Sequence, residues 1–327
     1  MLPTLLGITF LTFLVLDLAP LDRASLELAV LDTPTQLDVE ERELALARLR
    51  IRYGLVDEET LEPVPVHQRY LVWLRNAASF QLAGGDEDQA LFRERLLGAV
   101  PVSLLLGFWA FLVSLLVGVP LGCWLGMRAG SRADRMVSNL LFLVVGLPEV
   151  LVATLLLLTF GAAGLGWLPT AGLASEYGVA DTVLARLWDI GSHLLLPVTV
   201  MAIGPIVLIA RFLRESVARA ATSTFARNLE AWGIAAEVRH RRLLRAGFAP
   251  VATLIGSLLP MLVAGSIVVE TVFSIDGVGR LAWEAVRTQD QAMVMAVTLL
   301  VSVATLVALL ISDLVHWWID PRVRLGS

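Results

Sequence analysis

Long apolar runs alternate with polar segments along most of this chain. The runs are near 20 residues, the length needed to cross the hydrocarbon core of a bilayer. Six stand out, at about residues 2–19, 100–125, 137–160, 194–212, 251–273 and 292–319. Lipid offers no partner to backbone N–H and C=O groups, so each run is expected to be helical. The expected fold class is an all-α integral membrane protein with six transmembrane helices. The first run, within 1–19, also has the length of a signal peptide. It lacks a basic leader and a small-x-small cleavage site, so a retained span is favoured. Its bare start suggests that a short basic leader is missing from this chain.

Between the first two runs, residues 20–97 are polar enough to stand in water. The stretch TQLDVEERELALARLRIRYG reads as a helix, with Thr35 and Asp38 at capping-box spacing and Gly54 as its stop. VHQRYLVWLRNAAS reads as a second short helix, with Val66, Tyr70, Trp73 and Leu74 on one side. AGGDEDQ reads as a loop. The segment is expected to be a small helical insert outside the cell membrane, followed by a core over 98–319 and a tail over 320–327.

Composition agrees with the pattern. Of 327 residues, 57% are hydrophobic and 17% charged, and mean hydropathy is +0.76. All 25 basic residues are arginine. The absence of lysine excludes a Gly-Lys-Ser/Thr phosphate loop and a Schiff-base enzyme. Cys123 sits in an apolar run as small filler, and the four histidines lie far apart, so no metal site and no catalytic constellation is expected. Arginine placement orients the spans. With the N-terminus inside, the inner segments hold thirteen arginines and the short outer loops three. The long segment 20–97 carries nine arginines and fifteen acids, so the net charge of −5 averages an acidic outer face with a basic inner one.

The inner segment before the fifth run is longer than a turn requires. Residues 226–251 read ARNLEAWGIAAEVRHRRLLRAGFAPV. Phe225, Leu229 and Trp232 are spaced for one helical face, and Gly233 permits a sharp change of direction. A second short helix follows, leucines on one side and arginines on the other. Two amphipathic helices joined at a glycine would form a knob whose apolar ridge fits a groove on a soluble partner. Arginines on an inner face also satisfy the orientation rule and contact anionic headgroups, so for Arg239, Arg241, Arg242 and Arg245 both readings stay open.

This segment resembles the cytoplasmic coupling loop of ATP-binding-cassette importer permeases, specifically the B-type subunit of dipeptide, oligopeptide and nickel importers. GITFLTFLVLDLAP is similar to that family's first span, GWLPTAG at 166–172 follows the third, and HLLLPVTV at 193–200 opens the fourth. VVETVFSIDGVGRL at 268–281 and DPRVR at 320–324 are the most specific matches, and the likeness covers nearly the whole chain. On the family's loop motif, Gly233 falls on the central glycine, Ala231 two before it, Arg227 on the opening position and Pro250 on the closing proline. The Gly-Asp-Leu/Phe-Gly motif expected before the second span is missing.

The resemblance implies the type I importer permease fold of the MetI-like kind, with a coupling loop over 213–247. It assigns Phe225, Arg227, Leu229, Glu230, Ala231, Trp232, Gly233, Arg239 and Arg241 to contact with two cytoplasmic ATPase subunits. ATP and Mg would be used there, with no cofactor bound by this chain. It also implies a second, related permease, an extracytoplasmic solute-binding protein, surrounding membrane lipid and no nucleic acid. The location implied is the bacterial inner membrane, with both termini cytoplasmic.

Ionisable residues inside spans are costly and mark function by default. Glu149 follows Pro148, which can kink its helix. The pair is expected either to line the pathway, with Pro205 and Pro260 bending spans four and five, or to pack against the partner permease. Glu270, Asp276, Gly277 and Gly279 are candidates for an outer gate or binding-protein dock. A wetted, quiet span end is the other reading of Glu270. Asp17 and Asp313 are expected to make helix-to-helix contacts. A proton-coupled secondary transporter working through Glu149, Asp17 and Asp313 is the alternative function; it leaves the knob without a purpose.

Overall fold

Apolar periodicity and caps produce helices throughout the described part of the chain. The structure, a computed structural model, describes residues 1–18, 24–25, 28, 38–57, 60, 62–79, 81–82, 89–161, 164–175, 182–261 and 265–319. Thr35, most of the AGGDEDQ loop and the 320–327 tail lie outside them, as do the side chains of Pro250, His316, Trp317 and Trp318. In chain order the helices are α1 (Leu2–Asp17), α2 (Val39–Arg52), α3 (Val66–Ala78), α4 (Gln89–Met127), α5 (Arg132–Val145) and α6 (Glu149–Phe160). They continue with α7 (Val183–Thr222), α8 (Thr224–Ala231), α9 (Ala236–Ser257), α10 (Ile267–Val272), α11 (Val278–Arg287) and α12 (Gln291–Ile319). The chain divides into two units, Met1–Val100 with Leu281–Val303, and Pro101–Arg280 with the rest of the C-terminal segment.

In the first unit, α3 is fastened to α1. Thr9 is buried in the apolar α1, and its hydroxyl shares a hydrogen bond with Tyr70 Oη at 2.9 Å. Tyr70 also donates to the Leu6 carbonyl, and Phe10 and Phe13 meet its ring edge-on. Arg69 pairs with Asp17 at 2.5 Å, so the helix-to-helix contact expected of Asp17 is present. Helix α2 starts one turn later than the Thr35 reading implies. Asp38 stands before it, and Glu41 reaches back to the Asp38 N–H at 3.4 Å. Glu40 and Glu41 in its first turn and Arg50 and Arg52 in its last complement the helix dipole. Gly54 stops it, with Leu55 N–H donating to the Arg50 carbonyl at 2.9 Å.

In the second unit, α4 and α7 approach closely along a glycine stripe. A Cβ on Gly122 would lie 2.7 Å from the Ala210 carbonyl oxygen, and one on Gly126 would lie 2.6 Å from Val217 Cβ. Small residues at four-residue spacing let two apolar helices pack backbone to backbone. Gly247 on α9 meets Val217 from the other side.

Among the described residues, Gln89–Met127, Val183–Thr222 and Gln291–Leu314 are long and apolar enough to cross a membrane. Helix α1 is apolar but shorter. Residues 137–160 are not the single helix expected. Helices α5 and α6 meet at a 96° bend across Gly146–Pro148. A proline disfavours helix at the residue before it, here Leu147, and Pro148 becomes the N-cap of α6. Residues 251–273 are likewise interrupted. Helix α9 runs from the basic segment through position 250 to Ser257, and a turn at 258–260 ends in Pro260. The short α10 begins only after Gly265, whose φ of +65° breaks the path.

Candidate functional site

The knob predicted around Gly233 is present, with one partner redrawn. Ser223 accepts from the Ala226 N–H and starts α8. The helix ends at Trp232, and Gly233 adopts φ +67°. Gly233 N–H donates to the Glu230 carbonyl at 2.9 Å and Ile234 N–H to the Leu229 carbonyl at 3.2 Å. This is the left-handed glycine stop that closes a helix with two reverse hydrogen bonds. No atom crowds the position, so glycine is required by backbone conformation alone. The next helix is not short, because α9 continues for 22 residues.

The expected ridge of Phe225, Leu229 and Trp232 splits into an anchor and a presenting surface. Leu229 is 1% exposed and packs with Ala226, Leu243 and Ile234. Trp232 is 73% exposed and Phe225 45%. Ala231, Arg227 and Arg241 are exposed, and Arg239 pairs with Glu230 at 3.4 Å across the bend. A surface pair of this kind contributes about 0–1 kcal/mol, so it tunes the elbow and does not hold it.

Behind the knob lies an ion pair that sequence reasoning missed. Asp134, fully buried in the first turn of α5, accepts from Arg214 Nε at 2.5 Å and Arg214 Nη2 at 2.6 Å. The Gly130 N–H and Ser138 hydroxyl complete its shell. It sits in the connection between the second and third expected spans. The Arg214 guanidinium, with these two further donors, holds its carboxyl at about 2 against the opposing push of burial. The pair ties the α4–α5 turn to α7 two turns before the knob. The Ser131-x-x-Asp134 cap spacing was the visible signal.

Glu149 and Glu270 both adjoin the Gly265–Ser266 step. Glu149 opens α6 at the 96° break, with its side chain exposed. Its Oε1 accepts from the Ser266 hydroxyl at 3.2 Å. It borders a cavity of about 230 Å³ that also touches Met201, Pro205, Met261 and Gly265. Pro148, the N-cap beside Glu149, is exposed, and Pro260 is half-buried at the end of the α9 turn. Pro205 lies inside an unbroken α7.

Glu270 is fully buried, which corrects the reading of a wetted span end. Its Oε1 accepts from Ser103 Oγ at 2.8 Å and its Oε2 from the Arg280 N–H at 2.9 Å. The Gly279 N–H is a further donor, while the Val278 N–H donates to Ser103 Oγ at 2.8 Å. The carboxylate therefore sits against the N–H groups of the first turn of α11 and takes the place of their missing intrahelical partners. A Cβ on Gly265 or Gly277 would strike it, so those glycines form its pocket, with Gly279 alongside. Asp276 alone of this group faces out, paired with Arg280 at 3.0 Å. Asp313 is exposed.

The chain is similar to known proteins over nearly its whole length. Residues 118–325 match the family described as binding-protein-dependent transport system inner membrane component. The oligopeptide transport system permease protein AppB of Bacillus subtilis is 27% identical, over 99% of this chain and 96% of its own length. The dipeptide transport system permease protein DppB of the same organism is 27% identical over 99% and 95%. The peptidoglycan transport system permease protein YejB of Agrobacterium fabrum is 26% identical over 99% and 95%.

Proposed function

This chain belongs to the binding-protein-dependent transport system inner membrane components, and from that premise we propose that it is the permease subunit of an ATP-driven importer of di- and oligopeptides. Relatives named for oligopeptide, dipeptide and peptidoglycan transport match it about equally, which supports the peptide class and leaves chain length open. The finer architecture is six membrane crossings with both termini cytoplasmic. Residues 20–97 form a helical insert outside, and 213–247 form the coupling loop.

The observation that carries the mechanism is the Gly233 elbow, anchored through Leu229 and presenting Phe225 and Trp232. An exposed tryptophan and phenylalanine on a rigid eight-residue helix fit a groove on a soluble partner. Two cytoplasmic ATPase subunits, using ATP and Mg, close and push this helix. The push passes into the 40-residue α7 directly, and through Arg214 and Asp134 into the α4–α5 turn. A second, related permease completes a pseudo-twofold pathway, and a solute-binding protein delivers the peptide from outside.

The proton-coupled alternative finds no support. Asp17 is committed to Arg69, and that reading gives α8 no role. Capture of the solubilised chain tests the proposal: two ATPase subunits and a sister permease should come with it. A chain that moves peptide alone in proteoliposomes, without ATP, would refute it.

A further inference from the structure

We propose that Glu149 is a recognition point in the pathway for a cationic group of the transported peptide, with Ser266 aiming its carboxylate at the cavity rim. The inference rests on the peptide-importer reading above and adds a charge preference to it.

Three observations carry it. First, the cavity beside Glu149 has no basic residue among those lining it, and among the described residues Ser266 is the carboxylate's hydrogen-bond partner. A carboxylate can accept at about four lone-pair sites. The carboxylate is exposed in the single chain and borders Met201, Pro205 and Met261; once lipid and the partner permease close around it, its charge is costly unless something pairs with it. Among the described residues the chain supplies one hydroxyl and the dipole of α6, and no cation.

Second, the hydroxyl is not free to turn away. Ser266 Oγ accepts from the Val269 N–H at 3.2 Å as the N-cap of α10, so its own proton is available to Glu149. The carboxylate is thereby preoriented before any ligand arrives.

Third, the volume of about 230 Å³ is below the usual range for a whole small-molecule ligand, about 300–1,000 Å³. It suits one cationic side chain of a peptide. The same charge repels an acidic side chain, which gives discrimination by sign.

The test uses the complete importer, reconstituted with its ATPases, sister permease and binding protein, and two probes, Ala-Lys-Ala and Ala-Glu-Ala. Because the substitution lies only in this chain, the binding protein's own preference cancels when variant and wild type are compared. Glu149→Gln is expected to lower the Lys-to-Glu uptake ratio about tenfold, the factor that corresponds to one good charge contact. Glu149→Cys, in a Cys123→Ser background, gives a second reading. An anionic methanethiosulfonate adduct should restore the ratio, and a cationic adduct should invert it.

Equal loss of both peptides, or a ratio unchanged within twofold, overturns the inference while leaving the importer reading intact. That outcome points to a charged partner on the sister permease. A wild-type importer that takes up neither peptide overturns the peptide reading, and this inference with it.

Discussion

The Ser103 hydroxyl donates to Glu270 Oε1 at 2.8 Å and at the same atom accepts from the Val278 N–H at 2.8 Å. Two residues 167 positions apart thus share the capping of α11. Glu270 is a structural keystone of the turn that leads into α11, and Asp276 in that turn is exposed.

Removing the shared hydroxyl tests this. Ser103→Ala orphans the Val278 N–H and removes one of the donors to the Glu270 carboxylate in a buried place. The expected cost is about 1–3 kcal/mol, read as a lower thermal midpoint of the solubilised assembly. Gly277→Ala is expected to cost more, because its Cβ would collide with the Glu270 carboxylate. An unchanged midpoint in both would remove the capping role.

The glycine stripe predicts a steric failure. Gly122→Val would force α4 away from α7 at Ala210 and Leu213. Overpacking of this kind costs about 1–3 kcal/mol or more. Thermal denaturation should show the loss, and Gly98→Val, at an exposed position of the same helix with no atom nearby, controls for surface glycine effects.

Much of this was legible in the sequence, and the failures share a cause. Gly233 and Gly54 were readable because a helix stop of this type needs one left-handed residue. The family likeness was readable because its motifs are local and ordered. The break at 146–148 carried a signal in its Gly-Leu-Pro, which was read as a kink and is a 96° turn. Asp134–Arg214 and Ser103–Glu270 were not readable, because their partners lie 80 and 167 residues away. Leu229 was assigned to the ridge because periodicity names a helix face without saying which side of it is covered.

Asp134 makes a pH prediction. Its folded-state pKa is lowered to about 2, so its stabilisation is fully present above the unfolded carboxyl value near 4. That stabilisation is lost as pH falls from about 4 through about 2. Thermal midpoints measured from pH 5 downward should fall more steeply for wild type than for Asp134→Asn. The variant should start lower by about 1.5–3 kcal/mol at neutral pH, the worth of hydrogen bonds to a charged group. Parallel curves would contradict the assignment.

The account rests on α8 as the point where force enters the chain. The direct measurement is peptide uptake and ATP hydrolysis together, in the reconstituted assembly carrying Trp232→Asp and Gly233→Val. Valine at a left-handed position costs about 1–2 kcal/mol locally, and aspartate replaces the exposed ring with a charge. Uptake and peptide-stimulated hydrolysis should both fall at least about tenfold, equivalent to some 1.4 kcal/mol of lost coupling, with all subunits still captured together. Undiminished uptake and hydrolysis in that double variant would contradict the account.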